Sequence, residues 1–280
     1  MTRAELIQYQ ELRRFQIVEA EGANWQAKSA GSGFMIEADN HLFFVTADHI
    51  VNLHVHQGGI TLRQDKITKV LVSTNVAQPD ANGNLNTLMS QIGGFYYASG
   101  FNLNPQTLQL TGGNAIDAAV SMLPTDFLQK YTFCNSGIAV GNIVVPPLQL
   151  KQPTDWKTRT NPDANHTYSI IGKIKPQLKV ENGIEILTFE KVYNEGMTFD
   201  HEQNGNYYFR YTKSVVYEDW GGLSGGPVFD NEGHLVGIQS GVIESGKISP
   251  NDPGFVVVRG LNEVRMYMGV AMLEEQNSNQ

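Results

Sequence analysis

Residues 221–228 read Gly-Gly-Leu-Ser-Gly-Gly-Pro-Val, a single serine in a glycine-rich turn that leads into an apolar stretch. Glycine tolerates backbone angles that other residues avoid, so such a turn can point successive N–H groups into one hollow. Ser224 is therefore a candidate nucleophile for acyl transfer. The N–H groups of Gly222 and Ser224 are the candidate donors to the oxyanion that acyl transfer creates.

Two other segments offer the partners that such a serine needs, because a serine hydroxyl is a weak nucleophile at neutral pH. Residues 43–49 read Phe-Phe-Val-Thr-Ala-Asp-His, an apolar run that ends on His49, and imidazole is the natural base near neutral pH. Residues 115–120 read Ala-Ile-Asp-Ala-Ala-Val and place Asp117 before another apolar run. A buried aspartate holds an imidazole in the correct tautomer. We predict a catalytic set of His49, Asp117 and Ser224.

Several aspartates between the histidine and the serine compete for the orienting role: Asp65, Asp80, Asp117 and Asp126. The first two lie in polar stretches and the last follows a proline, so Asp117 is preferred. Asp48 directly precedes the base. Neighbouring side chains of a strand point to opposite faces, so we expect Asp48 to be exposed and to take no part.

Other reactive side chains receive plainer interpretations. The spacing of His54 and His56 fits no common zinc pattern, so we predict solvated histidines and no metal site. Cys134 is the one cysteine, cannot form an internal disulfide and lacks a neighbouring base motif. We expect no cofactor.

The composition limits the class of protein. The chain has 280 residues, a formal net charge of −8 and 41 % apolar residues, enough for a sizeable core. An acidic balance disfavours nucleic acid as a partner, since phosphate binding needs clustered Lys and Arg. No apolar window approaches the ~20 residues of a membrane span, and the N-terminus does not read as a secretory signal. We expect a cytoplasmic protein without membrane contact; a signal removed beforehand is the open alternative.

The apolar stretches are short and separated by glycine and asparagine, which is typical of an all-β protein. Short helices are predicted over residues 4–13 and from Asn262 onward, with a frayed tail from residue 274. Residues 75–105 and 151–166 read as long loops.

The three motifs, in the order His, Asp, Ser, resemble the chymotrypsin/trypsin-like serine peptidases, and especially the disulfide-free bacterial members related to HtrA and the glutamyl endopeptidases. Three further segments extend the resemblance over roughly residues 30–272: Gly-Ser-Gly-Phe-Met-Ile at 31–36, Gly-Ile-Gln-Ser-Gly at 237–241 and Pro-Gly-Phe-Val at 253–256.

The resemblance implies an all-β fold of two six-stranded antiparallel barrels with the active site between them and a C-terminal helix. We expect an N-terminal extension at residues 1–14, barrels at 15–125 and 143–260, a linker at 126–142, and the helix with its tail at 261–280. In a serine endopeptidase of this type His49 acts as general base, Asp117 orients it, Ser224 attacks, and Ser240 supports the pair as a further donor.

The resemblance also places the pocket for the substrate side chain, lined by Glu218, Trp220, Gly241, Val242 and Gly254. Glu218 or Asp219 at its base favours a basic side chain, whereas Val242 at its mouth favours a small one, and the choice stays open. The position before the nucleophile is Leu223, where digestive members carry the aspartate that pairs with a newly cut N-terminus. We therefore predict no activation of that kind.

Two other functions remain open. A catalytically silent relative would use the cleft to bind peptides without cutting them. A peptidase effector would act within a larger assembly, restrained by a regulatory partner protein. In every case the expected partner is a protein or peptide.

Overall fold

Two β-sheets and a C-terminal helix make up most of the secondary structure. The computed structural model describes residues 1–21, 26–51, 68–79, 85–96, 101–103, 110–112, 116–124, 126–127, 138–140, 143–145, 151–181 and 184–278. The predicted linker lies largely outside the described residues, as do Asp65, Asp80, His54, His56 and Cys134.

The elements follow one another along the chain as α1 (Arg3–Arg13), β1 (Arg14–Glu21), β2 (Gln26–Ala38), β3 (His41–Thr46), α2 (Asp48–Val51), β4 (Thr68–Pro79), β5 (Leu85–Ile92), β6 (Phe95–Tyr96), β7 (Phe101–Leu103), β8 (Leu110–Gly112), β9 (Ala119–Leu123), β10 (Ile138–Val140), β11 (Ile143–Val145), β12 (Thr154–Asp155), β13 (Thr167–Glu181), β14 (Ile184–Gln203), β15 (Asn206–Arg210), β16 (Pro227–Asp230), β17 (Leu235–Ile243), β18 (Phe255–Arg259) and α3 (Asn262–Ser278). Single 3₁₀ turns lie at Trp156–Thr158 and Tyr217–Asp219.

The C-terminal half forms a closed six-stranded barrel in the order β13-β14-β15-β18-β17-β16. Closure pairs β13 with β16 through Tyr168↔Asp230 and Ser169↔Phe229. Alternate residues of these strands enter a common core, including the fully buried side chains Tyr168, Phe209, Val228 and Val256. The prediction of a barrel is confirmed for this half of the chain.

The N-terminal half forms a mostly antiparallel sheet in the order β5-β4-β1-β2-β3-β9-β6, with β12 parallel to β2. Its closure into a second barrel stays a prediction. The predicted loop at residues 75–105 was wrong in part, because it contains β5, β6, β7 and the end of β4. The register Pro79↔Leu85 makes β4 and β5 a hairpin at the end of the strand order. Backbone pairing at a sheet edge does not require two apolar faces, so the polar composition concealed these strands.

The N-terminal helix α1 lies on the C-terminal barrel and leads directly into β1, so it connects the two halves. We call this helix the strap. A capping box between Thr2 and Glu5 begins it. Its Gln10 amide donates to Ser169 Oγ at 2.7 Å, and the Tyr9 ring meets Phe229 edge to face with centroids 5.4 Å apart. The predicted helix is confirmed and begins one residue earlier.

The C-terminal helix α3 packs Val264, Tyr267, Met268 and Ala271 into the core of the N-terminal sheet. The predicted fraying from residue 274 was wrong, since the helix continues to Ser278. Two contacts hold its last turns: the Tyr96 hydroxyl donates to Glu274 at 2.7 Å, and His41 Nε2 lies 3.0 Å from a Glu275 oxygen. Among the described residues, no helix combines the length and apolar character that a membrane crossing needs.

Lys151 lies partly buried where the strap meets the N-terminal sheet. Its ammonium donates to the Glu11 carbonyl at 2.5 Å. Burial, reinforced by the charge of Arg14, lowers the pKa of Lys151 to about 7. The unfolded chain keeps this proton up to about pH 10, so between pH 7 and pH 10 the unfolded state binds more protons. Stability therefore rises with pH across that window.

We expect Lys151→Met to remove this pH dependence and to stabilise the fold at pH 7 by about 2 kcal/mol, because the cost of burying the ammonium disappears. Urea unfolding at pH 7 and pH 9.5 measures it. The exposed Lys157→Met is the matched control and should keep the wild-type pH dependence. An equal rise in stability with pH for Lys151→Met and wild type would contradict the assignment.

Candidate active site

His49 and Asp117 are brought together by the pairing of β3 with β9. These strands run antiparallel, with Thr46 opposite Ala119, so the residues just beyond them meet at one end of the sheet. His49 Nδ1 lies 2.9 and 3.0 Å from the two Asp117 oxygens, and the backbone N–H of His49 donates to Oδ1 at 3.0 Å. Both side chains are partly exposed, at 24 % and 20 %. The carboxylate thus fixes the ring and favours a proton on Nδ1, which leaves Nε2 to act as acceptor.

Asp48 is buried, with 1 % of its surface exposed. The prediction that it would be exposed was wrong, because residues 48–51 form a helical turn, α2, and do not alternate as a strand does. The competing Asp126 is also described and partly buried, whereas the described contacts of His49 run to Asp117.

The serine turn packs directly against the strand that leads to His49. The backbone N–H of Ser32 donates to the carbonyl of Ser224 at 2.7 Å. A Cβ on Gly225 would lie 2.2 Å from Thr46 Oγ1 and 2.9 Å from the Ala47 nitrogen, so only glycine allows this approach. The contact brings Ser224 to the same end of the sheet as His49. Within the described part of the chain, the Ser224 hydroxyl makes no hydrogen bond to the imidazole; such bonds are often long in ligand-free enzymes.

The backbone N–H groups of residues 220–226 divide into two sets. Five are paired within or beside the turn: Trp220 and Gly221 donate to Tyr217, Leu223 to Trp220, Gly225 to Gln239 and Gly226 to Leu223, at 2.8–3.0 Å. The N–H groups of Gly222 and Ser224 have no partner among the described residues. The two groups that the sequence marked as oxyanion donors are therefore the two that this turn leaves available.

Gly222 occupies a position that requires glycine. Its φ is +101°, and a Cβ there would lie 2.5 Å from the backbone oxygen of Lys173. Its carbonyl accepts a hydrogen bond from Ser32 Oγ at 2.9 Å. The next residue, Leu223, is fully buried in the barrel core and lies against Gly172, where a Cβ would come within 2.1 Å of the leucine side chain. The turn is thus anchored by an apolar side chain.

Ser240 lies in β17. Its hydroxyl points to the carbonyl of Val257 on β18, with the two oxygens 3.4 Å apart. The sequence predicts Ser240 as a further donor that supports the pair of His49 and Asp117, and that role stays a prediction.

Backbone hydrogen bonds join residues that lie within or next to the three segments predicted to line a substrate pocket. Val215 N–H donates to Pro253 and Ser245 N–H to Val215, both at 2.9 Å, which joins the segments before the nucleophile, after β17 and before β18. Gly241 and Val242 pair with β18 beside them. Gly254 has a φ of +86°.

The charged and aromatic members of the predicted pocket differ in exposure. Glu218 is exposed on its 3₁₀ turn. Trp220 is 2 % exposed and meets Tyr211 edge to face, with ring centroids 5.2 Å apart, in the barrel core. Its indole therefore serves packing, and the pocket role of both residues stays a prediction.

Sequence reasoning missed Ser32 and Arg14. Both are buried, and the Arg14 guanidinium donates to Ser32 Oγ at 3.3 Å. One signal was available in the sequence. Arg14 and Gln16 alternate with Phe15 and Ile17 in one strand, and polar side chains are unusual on a strand that is covered on both faces.

The comparisons with known proteins yield solved structures only. No protein-family model and no curated protein matches the chain. A serine endoprotease from Yersinia pestis is 13 % identical with a TM-score of 0.43, and the match covers 96 % of this chain but only 66 % of the other, just under two thirds. Neuropsin, a serine protease from mouse brain, is 14 % identical with a TM-score of 0.46, over 94 % of this chain and 96 % of the other. Similarity at this level does not establish an activity, which has to be argued from the site.

Proposed function

We propose that this chain is a serine endopeptidase with a chymotrypsin-like arrangement, in which His49, Asp117 and Ser224 form the catalytic triad. One observation carries the proposal. An imidazole held by a carboxylate at 2.9 Å shares one end of a sheet with a serine turn in which, within the described ranges, the N–H groups of Gly222 and Ser224 have no partner. These are the parts that acyl transfer requires: a base, a nucleophile and two donors for the oxyanion.

The reaction proceeds through an acyl-enzyme. Ser224 Oγ attacks the peptide carbonyl carbon while His49 Nε2 takes the hydroxyl proton, and the carbonyl oxygen becomes an oxyanion held by the two free N–H groups. His49 then gives that proton to the leaving nitrogen, the C–N bond breaks, and the amine departs. Water attacks the ester in the same way, which releases the acid and restores the serine. Asp117 stabilises the imidazolium throughout.

An extended substrate has an edge on which to bind. The pairing of β16 with β17 begins at Pro227↔Ile238, whereas β17 continues to Ile243 and pairs with β18 over that stretch. Among the described residues, the other edge of β17 beyond Gln239 pairs with no strand on the side of the serine turn. A peptide can add a strand there and gain backbone hydrogen bonds that do not depend on its sequence.

A fluorophosphonate probe tests the proposal, because it labels a serine only when base and oxyanion donors are in place. We expect one label on wild type, located on Ser224 by mass spectrometry, and its loss in His49→Ala. We also expect cleavage of a denatured proteome. Absence of labelling in a folded protein would contradict the proposal and favour a peptide-binding relative. Labelling at another residue would refute the assigned nucleophile.

A further inference from the structure

We propose that Ser32 and Arg14 are positioning residues that fix the two oxyanion donors, so that the serine turn is held in its competent form by a polar chain from the other half of the protein. The inference rests on the proposed function. Neither residue touches the reacting atoms; each acts through the backbone of the turn.

Ser32 holds the turn at two points. Its hydroxyl donates to the Gly222 carbonyl at 2.9 Å and its backbone N–H donates to the Ser224 carbonyl at 2.7 Å. Ser32 is fully buried in a niche of glycines: a Cβ on Gly226 would lie 3.3 Å from Ser32 Cβ, and one on Gly172 would lie 3.6 Å from its Oγ. The close packing leaves the hydroxyl little room for another partner.

The two hydrogen bonds of Ser32 hold the planar peptide units on either side of the one that carries the Ser224 N–H: the Gly222–Leu223 unit and the Ser224–Gly225 unit. The peptide between Gly222 and Leu223 is fixed at both ends, its oxygen by Ser32 Oγ and its N–H by the Trp220 carbonyl at 3.0 Å. The next peptide has its oxygen held by Gly226 N–H at 2.8 Å, so the N–H of Ser224 must point the opposite way. Rotation of the Gly222–Leu223 peptide would reorient the backbone on both sides of it, and so turn the N–H groups of Gly222 and Ser224 away from the hollow.

Arg14 determines the direction of the Ser32 hydroxyl. The guanidinium has donors only, so its contact at 3.3 Å occupies an acceptor site of Oγ and leaves the hydroxyl proton for Gly222. The same nitrogen donates to Gln16 Oε1 at 3.1 Å, and the Gln16 amide donates to the Gly31 carbonyl at 2.6 Å. These bonds hold the guanidinium beside Ser32.

Arg14 remains a cation at neutral pH although it is buried. Burial lowers its pKa to about 10, and the carboxylate of Glu11 opposes that shift. Glu11 lies at the end of the strap α1, and Arg14 is the first residue of β1. The chain of contacts therefore runs from the strap through Arg14 and Ser32 to the serine turn. The Leu223 side chain anchors the turn by apolar packing and β17 holds it through Gln239, whereas this chain adds polar support from the N-terminal sheet.

Ser32→Ala tests the inference with a matched control, Ser121→Ala. Ser121 is equally buried in β9, and its hydroxyl donates to the Gly93 carbonyl, away from the turn. On a peptide that wild type cleaves, we expect Ser32→Ala to lower kcat per titrated active site about tenfold with KM unchanged. Affinity for the corresponding peptide aldehyde, whose adduct places an oxyanion in the hollow, should fall in parallel. Ser121→Ala should keep both.

A merely structural role gives a different result. In that case active-site titration would count fewer competent molecules, but each would turn over at the wild-type rate, and this would overturn the inference. Arg14→Lys should retain more activity per site than Arg14→Met, because it keeps a charged donor; equal activity of these two variants would remove Arg14 from the proposal. Failure of wild type itself to label or cleave would instead refute the proposed function.

Discussion

Ser224→Ala is expected to lower kcat on a cleaved peptide by about 10⁶-fold, the largest effect of any single substitution in this chain. The substitution removes the atom that forms the acyl-enzyme, and no neighbouring hydroxyl in the turn can replace it. The fold should persist, because the hydrogen bonds of Ser224 run through its backbone to Ser32 and neighbouring turn residues pair independently. We expect the free energy of unfolding to change by less than about 0.5 kcal/mol.

The double variant Ser224→Ala/His49→Ala makes this prediction sharper. Residues that act as a unit are not additive, so the double variant should be no slower than Ser224→Ala alone. Steady-state rates on the same peptide, with mass spectrometry of the products to exclude a contaminating peptidase, measure both. A residual kcat within tenfold of wild type for either variant would contradict a serine mechanism.

The parts of the site that lie in local motifs could be predicted from the sequence. His49 and Asp117 each follow or precede an apolar run, and the pairing of β3 with β9 brings those runs together. The glycine positions around Ser224 carried a physical requirement as well: Gly222 has a positive φ, and Gly225 touches the backbone of another strand. When each residue of a motif meets a steric requirement, the motif predicts the local backbone geometry.

The parts that depend on distant partners could not be predicted. The Ser32 hydroxyl finds its acceptor 190 residues along the chain, and a Gly-Ser-Gly segment gives no indication of that partner. Arg14 and Gln16 alternate with Phe15 and Ile17, a pattern that does not identify the partner of the guanidinium. Asp48 failed for a related reason, because the alternation rule assumes a strand and the chain turns into a helix there. Long-range packing decided the first two, and a local change from strand to helix decided the third.

The predicted loop at residues 75–105 illustrates a different limit. Periodicity identifies a strand by its apolar face, and strands at a sheet edge need only their backbone partners. The strand β5 lies at the end of the sheet order and was missed for this reason, whereas β4 begins before the predicted loop. The C-terminal barrel, whose strands are buried along the core side, was recognised correctly.

Asp117→Asn is expected to lower kcat by about 10⁴-fold while the geometry of the pair is kept. An asparagine oxygen can still accept the backbone N–H of His49, which lies 3.0 Å from Oδ1. Its amide nitrogen then donates to Nδ1, which places the ring proton on Nε2, where it can no longer accept the proton of Ser224. The variant should cleave the same peptide with an unchanged KM.

Asp126→Asn is the control for that substitution, since Asp126 is a described residue that competes with Asp117 for the orienting role in the sequence. We expect its kcat to stay within about twofold of wild type, because the contacts of Asp117 with the His49 ring are kept. The rate of fluorophosphonate labelling should follow kcat in both variants. A large loss in Asp126→Asn with a small one in Asp117→Asn would transfer the orienting role to Asp126. A large loss only in Asp117→Asn assigns the orienting role to Asp117.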